Sequence, residues 1–109
     1  MLLVTTTFMR PSTDVEFFDN ETFNAYRTAN YVNTGKLAKV SDTISPDGLS
    51  RTIVNQWTLR ANFAEFKQDP ITVQYFIERE AYTQGNGITV VHDYEYVPTD
   101  GDEPPQIWF

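Results

Sequence analysis

Apolar positions along the chain change their period several times, and each change marks an element. Leu3 to Arg10 opens with Val4 and then Thr5, Thr6 and Thr7, a β-branched run that favours an extended pleat, and Pro11-Ser12 closes it. Val15 to Phe18 is a short apolar run expected to fold down over the core. A helix is predicted from Asp19, whose carboxylate can accept from the first-turn N–H groups, with Phe18 and Phe23 at the spacing of a hydrophobic staple. Phe23, Tyr26, Ala29 and Val32 recur at helical spacing as its buried stripe, and Gly35 in Asn33-Thr34-Gly35 ends it.

Leu37 to Thr43 and Leu49 to Thr58 then read as a hairpin about Ser45-Pro46-Asp47-Gly48, where proline pre-sets φ and glycine accepts positive φ. Its second arm sends Ile53, Asn55 and Trp57 to one face and Thr52, Val54 and Gln56 to the other. Leu59, Phe63 and Phe66 fit one stripe of a short helix. Asp69-Pro70 interrupts it and starts another, with Asp69 as N-cap and Pro70 in the first turn. Val73, Phe76, Ile77 and Ala81, flanked by Tyr75 and Tyr82, are the expected apolar stripe of that helix, which Gly85-Asn86-Gly87 stops. In the last strand, Ile88 to Val97, residues Ile88, Val90, His92, Tyr94 and Tyr96 share one face.

Strand, helix, hairpin, helix, strand is the βαββαβ order: an α+β ferredoxin-like domain over residues 1–97, its four-stranded antiparallel sheet covered by helices on one face. Residues 98–109 form a separate acidic, proline-bearing tail with an aromatic tip. Neither sheet face is consistently polar, so the uncovered face is expected to meet a second copy of the chain, giving a homodimer.

Over residues 1–97 the order and length of elements resemble the dimeric α+β barrel superfamily, in particular its antibiotic-biosynthesis-monooxygenase-like group. Trp57-Thr58-Leu59-Arg60, then Phe63-Ala64-Glu65-Phe66 and Asp69-Pro70, carry the resemblance: an aromatic near the end of the third strand and a Phe-x-x-Phe-like short helix before a second piece. The resemblance implies two sheets packed face to face and, in the enzymes of the group, a pocket between sheet and helices. Haem-degrading members place an Asn in the first strand and a His in the second helix. Here Thr5-Thr6-Thr7 and a histidine-free helix stand instead, which argues against haem. Asn30-Tyr31-Val32-Asn33-Thr34-Gly35-Lys36 and the acidic tail also resemble small proteins of tailed bacteriophages, a likeness that implies no activity.

Composition sharpens this picture. The 109 residues make one domain, and 40% apolar with 15% aromatic is too rich for a disordered chain. The absence of cysteine removes disulfides, thiolate nucleophiles and thiolate metal sites, and no metal or cofactor is expected. A net charge of −7 with scattered Lys and Arg disfavours nucleic acid. The sequence Met1-Leu2-Leu3-Val4 lacks a basic leader and a cleavage site, and no segment approaches the ~20 apolar residues of a membrane span. A cytoplasmic location is therefore expected, that of the host cell if phage-encoded, or else a place in the virion. The sequon at Asn20 reads as a helix start.

Chemistry could sit at few places. His92, the one histidine, shares a strand face with Tyr94 and Tyr96 and could shuttle a proton; a partly buried ring bonded to a hydroxyl is the plainer reading. Asn55 and Trp57 share a face, and by the resemblance such residues lie near a flat substrate, although Trp57 is read chiefly as core or interface filler. Asp93 and Glu95 mark an exposed strand edge rather than a carboxylate pair. Tyr26, Tyr31, Tyr75, Tyr82, Tyr94 and Tyr96 are assigned to a subunit interface in preference to a pocket. In the tail, Ile107, Trp108 and Phe109 follow a stiff spacer, fitting either a fold-back or capture of a protein partner. The favoured function is a non-enzymatic interaction or structural module, dimeric through its sheets, with the tail as docking arm and a phage accessory or virion role. The alternative is a cofactor-free monooxygenase-like enzyme acting on a small aromatic compound, with His92, Asn55, Trp57 and Tyr94 in its pocket.

Overall fold

The computed structural model describes residues 1–98; the tail, with Ile107, Trp108 and Phe109 and their expected docking role, lies outside the described residues. The order of elements is β1 (Leu2–Met9), α1 (Glu21–Arg27), a π-helical turn (Thr28–Val32), β2 (Leu37–Ile44), β3 (Ser50–Trp57), α2 (Arg60–Gln68), α3 (Pro70–Gly85) and β4 (Thr89–Tyr96). The four strands form one antiparallel sheet in the order β2-β3-β1-β4, an α+β ferredoxin-like fold.

Strand register sorts the side chains into rows. Leu2, Val4, Thr6 and Phe8 of β1 are buried against the helices, so their partners face the same way. One row joins Leu37, Trp57, Leu2 and Tyr96; the next joins Val40, Asn55, Val4 and Tyr94; a third joins Asp42, Ile53, Thr6 and His92. The core gathers at the first row, where Trp57 and Leu2 are fully buried beneath Phe23, Tyr31, Phe63 and Phe66. Opposite, Leu3, Thr5 and Thr7 lie beside Gln56, Val54 and Thr52 on one flank and Glu95, Asp93 and Val91 on the other. This second face is threonine-rich with scattered apolar residues, and no tyrosine lies on it. Tyr94 and Tyr96 face the helices, so the expected tyrosine interface is not on this sheet.

Local chemistry explains most of the boundaries. Gly48 closes the hairpin turn with φ +75°, its N–H donating to Ser45 O at 2.9 Å. Asp69 caps α3, accepting from the Ile71 N–H at 3.0 Å, with Pro70 in the first helical position. Helix α1 starts one residue later than expected, because the Asn20 side chain, not that of Asp19, accepts from the Phe23 N–H. Phe18 consequently is no staple; it packs on Tyr75 and Tyr82 of α3, ring centroids 5.7 and 5.4 Å away.

Two helical stripes differ from expectation. After Arg27 the helix widens, with Asn33 N–H donating to Thr28 O five residues back, and this extra residue rotates the following face. Tyr31 is turned into the core and Ala29 out of it. In α3 the buried positions are Thr72 and Thr83, with Tyr75, Phe76, Arg79 and Tyr82 half-buried between them, while Val73 and Ile77 are exposed. The inward side of α3 is thus partly polar, which a packed core would not tolerate and a cavity does.

Candidate functional site

Beyond the packed row the helices stand off the sheet, leaving a cavity of about 510 Å³. Its floor is the strand rows: Val4, Thr6 and Phe8 from β1, Ile53 and Asn55 from β3, and Val90, His92 and Tyr94 from β4. The walls are Phe23 and Arg27 of α1, Phe63, Phe66 and Lys67 of α2, and Tyr75, Phe76, Arg79, Glu80 and Thr83 of α3. Exposed residues line it where α3 passes β4, at Glu80, Gln84 and His92, and this is its mouth. The volume and the mixture, aromatic walls with a few convergent polar groups, are those of a small-molecule site.

Of the four residues proposed for a site, the fold brings Asn55, His92 and Tyr94 to the same floor; Trp57 does not reach it. Trp57 lies in the core row, edge-on to Tyr31 at 5.9 Å and tilted against Phe66 at 4.8 Å. His92 Nδ1 is 3.1 Å from the Thr6 hydroxyl, which fixes the ring and leaves Nε2 for a ligand. The ring lies at the rim, beside Tyr94 at 6.4 Å. Burial of one side lowers its pKa from the ordinary histidine value, and nearby Arg79 lowers it further, so the imidazole is neutral at pH 7. Oδ1 of Asn55 is buried without a hydrogen-bond partner, an acceptor held ready for a donor.

The sequence reading missed the two arginines, Arg27 and Arg79, that enter the cavity. A signal for both existed. Phe23 and Arg27 are four apart, as are Tyr75 and Arg79, so each arginine shares a helix face with a buried or half-buried aromatic. Phe23 and Tyr75 stack at 3.9 Å and 11°, which joins α1 to α3 one turn before each arginine. The other tyrosines serve structure. Tyr26 and Tyr31 both donate to Asp69 Oδ2, at 2.5 and 2.7 Å, and Tyr82 donates to Glu16 O at 2.7 Å.

No protein-family model matches this sequence, and no curated protein is similar to it. The fold itself is shared with solved structures. SnoaB, a cofactor-independent oxygenase from Streptomyces nogalater, superposes with a TM-score of 0.59 at 15% identity, over 90% of this chain and 93% of that one. A candidate antibiotic biosynthesis monooxygenase from Deinococcus radiodurans gives 0.58 at 9% identity, over 98% of each chain. A dimeric ferredoxin-like protein from an uncultured marine organism gives 0.57 at 15% identity, over 90% of this chain and 95% of that one.

With a cofactor-independent oxygenase and a candidate antibiotic biosynthesis monooxygenase among them, these neighbours overturn the expectation of a non-enzymatic interaction or structural module. Between sheet and helices the structure has an open cavity rather than a continuous core. The resemblance to tailed-phage proteins, and with it a virion role, finds no counterpart among them. No helix among the described residues is long and apolar enough to cross a membrane.

Proposed function

We propose that this chain is a cofactor-free oxygenase-like enzyme acting on a small aromatic compound bound in the cavity, working as a homodimer. The observation that carries the reading is the cavity of about 510 Å³ with aromatic walls, His92, held neutral, at its rim, and the unpaired Asn55 amide oxygen on its floor. The neighbouring cofactor-independent oxygenase supports it by fold. The uncovered sheet face and the dimeric neighbour support pairing of two copies.

Phenolic substrates suit this site because the ring itself can supply every electron. His92 Nε2 takes the phenolic proton, and the electron-rich phenolate passes one electron to O2. The two radicals join at the ring carbon para to the oxygen, and the imidazolium returns its proton to the peroxide. His92 then takes the ring C–H proton as the O–O bond breaks, and hydroxide leaves as water. One phenol and one O2 give one quinone and one water, with atoms and electrons balanced. Asn55 Oδ1 can accept from a substrate hydroxyl and so fix the ring's orientation, while Phe63, Phe66 and Phe76 exclude water.

The test is oxygen uptake with 1-naphthol, whose para carbon bears a hydrogen, followed by quinone absorbance. Wild type should consume O2 and form quinone one to one, and His92→Gln should lose roughly 10²–10⁴ of the rate. Because the folded pKa of His92 is lowered, its basic form persists below the ordinary value of about 6.5, so the rate should fall only at more acidic pH. A wild-type rate equal to that of His92→Gln would remove the reading.

A further inference from the structure

The chain carries a net charge of −7, yet three of its eight basic side chains, Arg27, Lys67 and Arg79, line the aromatic cavity described above. Arg27 and Arg79 are only weakly compensated there: Arg79 is hydrogen-bonded to Tyr75 and feels Glu80, and Arg27 feels Asp42 and Asp19. Neither forms an ion pair among the described residues, and Arg27 Nε is buried with no hydrogen-bond partner. Asp42, the carboxylate acting most strongly on Arg27, is engaged by Arg51, whose Nε donates to Asp42 Oδ1 at 2.9 Å and whose Nη2 donates to Oδ2. Arg79 has its guanidinium 4.7 Å from the Phe76 ring centre and 5.4 Å from that of Phe8. Rings orient a guanidinium but do not neutralise it. Desolvation lowers the pKa of both arginines, the mark of cations kept from water at a cost. The other charged or titratable groups on the lining are Lys67, Glu80, Tyr75, Tyr94 and the neutral His92, and Glu80 is exposed at the mouth.

We infer that the cavity takes ligands whose flat apolar body carries an anionic group, a carboxylate, sulfonate or ionised phenol, and that Arg27 and Arg79 receive that group. This deepens the oxygenase reading and rests on it only for the cavity being the ligand site. Both guanidiniums, one from α1 and one from α3, line the cavity and offer forked donors to an anion there. The aromatic rings around them accept the flat body of the ligand.

Two fluorescent probes that differ only by a sulfonate test this: anilinonaphthalene sulfonate and its neutral parent, phenylnaphthylamine. Wild type should bind the sulfonate roughly tenfold to a hundredfold more tightly, as charge-assisted hydrogen bonds imply. Arg27→Met with Arg79→Met should abolish that preference while the neutral probe binds as before. Lys39→Met, on the uncovered sheet face, should change neither affinity. Competition on the unaltered protein repeats the test should the double variant not fold: naphthoate should displace the sulfonate probe at concentrations at least about tenfold lower than naphthalenemethanol does. Equal affinity for the two probes, or a preference that survives loss of both arginines, would overturn the anion site and leave the oxygenase reading standing. Failure of both probes to bind would overturn both. An anion preference without oxygen uptake would keep the site and remove the oxygenase.

Discussion

Replacing Asp69 with alanine tests how the wall of the cavity is held. Oδ1 of Asp69 caps α3 through the Ile71 N–H at 3.0 Å, and Oδ2 accepts from Tyr26 and Tyr31. A single carboxylate thus ties the π-helical turn, which follows Arg27, to the start of α3, which carries Arg79. Burial alone would raise its pKa, but hydrogen bonds from Tyr26, Tyr31 and the Ile71 N–H leave it below the ordinary carboxylate value. Loss of the cap costs about 1 kcal/mol. Tyr31 is only 4% exposed, so its stranded hydroxyl costs a further ~1–3 kcal/mol. Asp69→Ala should therefore lose about 2–4 kcal/mol, a large share of the roughly 5–15 kcal/mol of a typical domain. Urea denaturation followed by far-ultraviolet circular dichroism measures this, provided the slope is unchanged. Tyr31→Phe should cost clearly less in the Asp69→Ala background than in wild type, because the hydroxyl has already lost its partner. The pH dependence has a definite sign. A lowered folded pKa stabilises above the unfolded value of about 3.9, and that stability is lost as pH falls through the folded pKa; the alanine variant should lack this component. A loss below about 0.5 kcal/mol, or additive effects of the two substitutions, would refute the clamp.

Trp57→Ala should cost about 3–5 kcal/mol in the same denaturation assay, since the indole is fully buried among Tyr31, Phe63 and Phe66. Gly48→Ala should destabilise by about 1–2 kcal/mol, because φ is +75° and the added Cβ would stand 3.3 Å from Thr13 Cγ2. His92→Gln should lessen the fall in stability on acidification. The lowered folded pKa of His92 adds stability above its unfolded value of about 6.5, and that contribution is lost as pH drops through the folded pKa.

Much of the fold was legible because local chemistry and topology agree on it. Pro46 and Gly48 specify the hairpin turn, Asp69-Pro70 ends one helix and starts the next, and the element order leaves one familiar sheet. Helix faces were less legible. The π-helical turn carries no glycine or proline to announce it, so a 3.6-residue period put Ala29 inward where Tyr31 belongs. In α3 the rule that apolar positions face inward chose Val73 and Ile77 and passed over Thr72, Arg79 and Thr83. That rule describes a packed core and fails where the inner face lines a cavity. His92, Asn55 and Tyr94 were within reach because strand alternation placed them on helix-facing sides, with no need to know what stood opposite. The arginines that complete the cavity required the helix faces to be right first.

The central claim is that a flat aromatic compound enters between the sheet and the helices, and amide chemical shifts on titration with a naphthol test it most directly. The account predicts saturable shifts concentrated at Thr6, Asn55, Arg79, His92 and Tyr94, the cavity's floor and wall. Shifts confined to the uncovered sheet face, at Thr5, Val54 and Val91, or no saturable shifts at all, would contradict it.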